Sequence, residues 1–167
     1  ATKAHARRME EIFDKLYPQY NGELASGNII SMGVDAGDFD NDGDDDLLMT
    51  ELTSQGFNLY VNDGGSRFRD SGAASGLGPA SQPYTGWGTS WFDYDNDGWL
   101  DTFTANGTII TLEGHQNAFP YDQHRLLFRN LGNGRFENVT AKAGSTFAIS
   151  ESGRGAAFGD VDNDGDI

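Results

Sequence analysis

Apolar and polar positions along the chain define short elements. Near the start, Met9, Ile12, Phe13 and Leu16 fall at i, i+3, i+4 and i+7, one face of a helix. The spacing predicts a short amphipathic helix over Lys3–Tyr17, with Pro18 as a stop. Residues 1–29 are therefore set apart as an N-terminal helical segment. From about residue 30 the pattern changes to brief apolar runs between turn residues, the signature of strands. A small-residue strand, Gly33–Gly37, is followed by an acidic stretch and then by the apolar strand Leu47–Thr50. A hairpin comes next over Asn58–Phe68, with Asp63-Gly64 as its turn signal. The unit closes on the Ala/Gly stretch Gly72–Gly76.

The same order then recurs. Gly88–Phe92 precedes a second acidic stretch, Thr102–Ala105 follows it, and Leu126–Phe136 repeats the hairpin around Asn133-Gly134 before Ala141–Gly144. Gly155–Gly159 opens a third copy. Each unit holds about four short strands, and the period is roughly 55–65 residues. Four antiparallel strands per repeat is the blade of a β-propeller. The expected fold is thus all-β: a blade over about 31–77, a second over about 86–144 and part of a third over about 153–167. Extra length in the second unit lies near 107–125 and is expected as a surface insertion.

Composition sharpens this reading in few respects. Gly is 23 of 167 residues, about twice the usual share of roughly 7%, as many tight turns require. The formal net charge is −15. Such a chain is ill suited to nucleic acid, whose phosphates need Lys and Arg, and to anionic membrane surfaces. Cysteine is absent, so there is neither a disulfide framework nor thiolate chemistry. No apolar run is long enough to span a membrane, and Ala1–Tyr20 lacks the apolar core of a signal peptide.

The placement of the acid is more telling. Three stretches read Asp38-Phe-Asp-Asn-Asp-Gly-Asp-Asp-Asp46, Asp93-Tyr-Asp-Asn-Asp-Gly-Trp-Leu-Asp101 and Asp160-Val-Asp-Asn-Asp-Gly-Asp-Ile167. Together they hold more than half of the 26 acidic residues; the remainder nearly balance the 11 bases. Carboxylates at alternate positions 1, 3 and 5 converge on one centre if the backbone curls. Gly at position 6 permits the turn, position 7 offers its carbonyl, and an acid at position 9 closes the cage. Many hard oxygen donors select calcium, whereas magnesium keeps more water. Without cysteine and with few histidines, zinc is a poor fit. An EF-hand differs: its closing Glu is at position 12 and helices flank it. The plain alternative is a solvated acidic turn built of ordinary Asp, Asn and Gly. Three copies in one register argue against it, and so does the repulsion among the carboxylates without a cation.

The sequence resembles the FG-GAP/VCBS repeats, the calcium-loop blades of integrin α-subunit propellers, and within them the ASPIC/UnbV, cartilage-acidic-protein-like branch. Gly37–Asp46, Gly86–Asp101, Leu126–Thr140 and Gly153–Asp160 carry the resemblance. It implies side-chain ligands Asp38, Asp40, Asp42 and Asp46 in the first loop and Asp93, Asp95, Asp97 and Asp101 in the second. Position-7 carbonyls would come from Asp44 and Trp99, and Asp160, Asp162, Asp164 and Asp166 would serve the third loop. Closed propellers of this kind have about six or seven blades. Two blades and part of a third therefore imply either a longer polypeptide or completion by other copies of the chain, through exposed strand edges.

Other features are weaker. Glu113, His115, Asp122 and His124 fall in the insertion, where a catalytic or metal site competes with plain solvation. Asn106-Gly-Thr108 and Asn138-Val-Thr140 have the form of N-glycosylation acceptors. Trp87, Trp91 and Trp99 flank the second loop, as blade core or as a sugar platform. No nucleophile elbow or zinc-protease motif occurs. The function expected is a non-enzymatic, calcium-stiffened scaffold for adhesion, recognition or assembly. It would be extracellular or at the cell surface, with the periplasm as an alternative. Its partner would be a protein or glycan, or further blades or copies of itself. An accessory part of a secreted enzyme and a filament subunit are the alternatives.

Overall fold

A computed structural model describes residues 31–64, 67–109 and 120–160. The expected N-terminal helix, the middle of the insertion and the third loop beyond Asp160 lie outside these residues.

Two four-stranded antiparallel sheets make up most of the described chain. The first runs β1 (Gly33–Gly37), β2 (Asp46–Thr50), β3 (Asn58–Asn62) and β4 (Phe68–Asp70), in that spatial order. The second runs β5 (Gly86–Phe92), β6 (Asp101–Asn106), β8 (Leu126–Asn130) and β9 (Phe136–Asn138). Registers correspond: Leu47 faces Tyr60 in the first sheet and Thr102 faces Phe128 in the second. Val61 and Arg129 therefore occupy the same place in the two blades, as do Asn62 and Asn130. The observed blades match the expected four-strand units, and their acidic loops join the first two strands of each.

Two short helices, Gly72–Ser75 and Leu77–Ser81, link the sheets. They meet at Gly76, whose φ of 90° suits a residue without a side chain. A small sheet pairs β7 (Gln123–His124) with β10 (Ser150–Glu151). The segment Gly155–Gly159, expected as a strand, joins no ladder. In the first two blades the ladder partner is the strand after the acidic loop, and here the residues after Asp160 are not described.

The core lies between the sheets. All five residues of β2 are buried. Phe39, Leu48, Phe57, Leu59, Trp91, Leu126, Phe128 and Phe136 belong to one apolar cluster drawn from both blades. Phe39 of the first loop stacks on Trp91 at 5.8 Å and on Phe136 at 5.7 Å, so the start of one loop is anchored in the neighbouring blade. Closeness of the blades depends on glycine. A Cβ on Gly33 would lie 1.9 Å from the Trp87 carbonyl oxygen, and one on Gly88 would lie 2.5 Å from the Ala156 nitrogen. The third segment thus approaches β5 much as β1 does from the other side.

Candidate metal centres

In both described loops the backbone curls in the same way. Asn41 and Asn96, at position 4, have φ of 59° and 56°; Gly43 and Gly98, at position 6, have φ of 97° and 87°. Asn and Gly tolerate this left-handed region best. The curl turns backbone N–H groups inward onto the first aspartate. Asp38 accepts from the N–H groups of Asp42 and Gly43 at 2.9 and 3.0 Å. Asp93 accepts from those of Asp97 and Gly98 at 3.0 and 2.8 Å. Asp44 N–H donates to Asp42, and Trp99 N–H to Asp97, at 2.9 and 3.0 Å.

The aspartate at position 9 ties the loop to its blade. Asp46 accepts from the Phe39 N–H at 3.2 Å and from the Asn62 N–H, at the end of β3, at 2.8 Å. Asp101 accepts from the Tyr94 and Asn130 N–H groups at 3.0 and 2.7 Å. Both side chains are fully buried. Burial pushes the Asp46 carboxyl up to about 7, against the lowering by the Asn62 N–H, with the Asp40 charge adding to the rise. Burial likewise pushes Asp101 up to about 6, opposed by its two backbone hydrogen bonds.

Carboxylate oxygens of Asp38, Asp40 and Asp42 lie within 4.8 Å of one another, and so do those of Asp93, Asp95 and Asp101. Asp46 is not part of the first group, nor Asp97 of the second. The donor set fits a hard divalent cation. Asp40 Oδ1 is buried and makes no hydrogen bond, and the Asp40 carboxyl is raised by burial and by the charges of Asp42 and Asp38. A cation among these oxygens would supply the missing contact and favour the ionised forms. Asp160 is exposed; Asp162, Asp164 and Asp166 lie outside the described residues.

Sequence reasoning missed two groups here. The Asn at position 4 recurs in all three loops, and that repetition was an available signal. Asn41 Nδ2 also donates to the Gly98 carbonyl at 3.1 Å, joining one loop to the next. Arg129, on β8, reaches the second loop: its Nη2 donates to Asp97 at 3.1 Å and its Nε lies 2.8 Å from Asp95. The Nε contact is an ion pair without an aligned hydrogen bond.

The remaining candidates separate. Asn106 is 1% exposed, and its Nδ2 donates to the His124 carbonyl at 2.7 Å. A glycan on Asn106 would require that bond to break and the side chain to leave its buried position. Asn138 is exposed and accepts from the Thr140 N–H at 3.1 Å. Trp91 is core. Trp87 is half-buried beneath the Arg154 guanidinium, 4.2 Å from the ring centre, and donates to the Gly107 carbonyl. Trp99 packs over Gly132 at the β8–β9 turn. In the insertion Asp122 is exposed and His124 is half-buried in β7; Glu113 and His115 lie outside the described residues.

Repeated four-stranded blades, each with an aspartate loop between its first two strands, define a repeat protein of the propeller-blade class. The model of the FG-GAP-like repeat matches residues 38–104 and 118–167. The match covers more than half of the chain, and the chain belongs to that family. FG-GAP repeats are propeller blades, generally non-catalytic scaffolds of extracellular or surface proteins, and are often calcium-binding. No curated protein matches the chain. Among the described residues no helix is long and apolar enough to cross a membrane.

Proposed function

We propose that the chain is a calcium-binding part of a non-enzymatic, extracellular β-propeller scaffold for adhesion, recognition or assembly. The observation that carries this is the twofold repetition of one loop geometry. In each loop inward N–H groups fix the first aspartate, the fourth and sixth residues are left-handed, and three carboxylates converge. An ordinary acidic turn has no reason to repeat all three. Asp38, Asp40 and Asp42, and Asp93, Asp95 and Asp101, are the proposed side-chain ligands. Asp46 and Asp97 are the resemblance's further ligands, and the Asp44 and Trp99 carbonyls its backbone ones. The metal stiffens the loops on which the scaffold presents its partner surface. The ASPIC/UnbV branch is the subfamily proposed. A third segment continues the array after the second blade, since Gly155 and Ala156 lie against Gly88, and further blades or copies of the chain are the proposed partners.

Calcium binding to the folded chain should raise its melting temperature by mass action. Scanning calorimetry with calcium, with magnesium and with chelator tests this, alongside Asp40→Ala. Calcium should stabilise most, and Asp40→Ala should shrink the difference between calcium and chelator. Superimposed melting curves with calcium and with chelator would refute the reading.

A further inference from the structure

The two loops share a backbone but differ in their surroundings at one position. In the first blade Val61 stands on the third strand beside the loop. In the second, Arg129 stands at the same register. The arginine pairs with Asp95 at 2.8 Å and Asp97 at 3.1 Å, one of them a carboxylate of the convergent group. The first blade's nearby arginine, Arg69, is instead held by Asp63 at 3.1 Å, outside its loop. A guanidinium and a divalent cation on the Asp95 carboxylate weaken one another, because their like charges repel and each draws on the same anion.

A second seat for the arginine is at hand. Glu137 lies directly opposite Arg129 in the β8–β9 ladder, where opposite charges pair favourably. A cavity of about 140 Å³ beside them is lined by Tyr94, Arg129, Glu137, Val139 and Lys142. Glu137 already accepts from Lys142 at 2.7 Å.

Resting on the calcium reading above, we propose that Arg129 is a built-in competitor for the second loop's cation, moving from Asp95 and Asp97 to Glu137 when the metal enters. The first loop, with Val61, fills without this displacement. The second fills at higher calcium. Arg129 thus sets the affinity of one loop independently of the other.

The test is a calcium-buffered NMR titration of the whole chain. The backbone amide signals of Gly43 and Gly98 follow the two loops separately, and the Arg129 Nε–H signal follows the arginine. In the parent chain the Arg129 signal should move together with Gly98 and not with Gly43. Arg129→Val should lower the Gly98 midpoint by roughly tenfold and leave that of Gly43 in place. Val61→Arg should raise the Gly43 midpoint. The first loop also carries Asp44 and Asp45, so the shift on substitution, rather than the order of the midpoints, is the deciding quantity. Calcium responses that are unchanged in both variants would overturn the arginine's role while leaving calcium binding intact. No response of either glycine to calcium would remove the calcium reading, and this inference with it.

Discussion

The Trp91 backbone N–H donates to the Asp35 carboxylate at 2.9 Å, so the first strand of one blade is bonded to the first strand of the next. The Ser90 hydroxyl donates to the same oxygen at 3.0 Å. No ladder joins β1 to β5, and this carboxylate supplies a directional link that apolar packing lacks. Asp35→Ala would leave the Trp91 N–H without its acceptor at a packed junction, at a cost of roughly 1–3 kcal/mol. The urea midpoint should fall accordingly, and hydrogen exchange at the Trp91 amide should quicken more than in the middle of β2. An unchanged exchange rate at Trp91 would show that the link contributes little.

Two glycines should behave differently when replaced by alanine. At Gly33 the obstacle is the Trp87 carbonyl, 1.9 Å from the added carbon. Backbone must move, and the two blades with it. At Gly43 nothing lies within 4 Å and the obstacle is only the φ of 97°, a strain of about 1 kcal/mol. Gly33→Ala should therefore cost well over twice as much stability in chelator as Gly43→Ala. Gly43→Ala should in addition weaken the response to calcium, because it opposes the loop's curl. Equal losses in chelator would contradict this account.

The loops and strands were legible because they rest on local chemistry. Gly33–Gly37, the apolar strand before Thr50 and both hairpins lie where alternation and turn residues put them. What was not legible depends on neighbours distant in sequence. Asp35 reads as one more acidic residue until Ser90 and Trp91 are brought beside it. Arg129 reads as a hairpin surface charge until the second loop folds over it. Asn106 reads as a glycosylation acceptor because a three-residue motif carries no information about burial. The helix over Leu77–Ser81 was missed for another reason: it contains Pro79 and follows Gly76, both ordinary turn signals.

A buried glutamate sets a pH dependence separate from the aspartate loops. Glu51 is 1% exposed, its Oε2 has no hydrogen-bond partner, and Asn58 Nδ2 donates to its Oε1 at 3.2 Å. Burial pushes its carboxyl up from 4.5 to about 7, against the lowering by Asn58. Between these values the folded chain holds a proton that the unfolded chain has released. Stability from this group therefore falls as pH rises from about 4.5 to 7 and is level above that. Glu51→Gln keeps the shape and removes the charge. It should stabilise the chain at pH 8 by roughly 1–2 kcal/mol and flatten the profile. Measuring urea midpoints of both proteins from pH 4.5 to 8 in excess calcium, which on the proposed reading would hold the loop aspartates ionised, checks this. Parallel profiles would sink it.

Asn62 and Asn130 end equivalent strands and perform the same local task, yet they should not be equally important. Each donates its backbone N–H to the position-9 aspartate, and each accepts at Oδ1 from the residue two further on, Gly64 or Gly132. Asn62 Nδ2 donates to the Asp45 carbonyl at 3.2 Å, and Asn130 Nδ2 to the corresponding Leu100 carbonyl at 3.0 Å. Only Asn130 adds a bond to the other blade, from Nδ2 to the Phe39 carbonyl at 2.8 Å. Asn130 is also the more deeply buried, at 1% exposed. Substituting alanine at Asn62 removes bonds whose partners keep some access to water. At Asn130 it leaves the carbonyls of Phe39 and Leu100 without that donor inside the inter-blade core, where water replaces it poorly. Asn130→Ala should therefore cost about 1–2 kcal/mol more than Asn62→Ala in chemical denaturation with calcium in excess. It should also loosen the stacking of Phe39 on Trp91, visible as a change in the near-ultraviolet circular dichroism that Asn62→Ala does not produce. Equal losses for the two variants would mean that the bond between the blades adds nothing to the local task the two residues share.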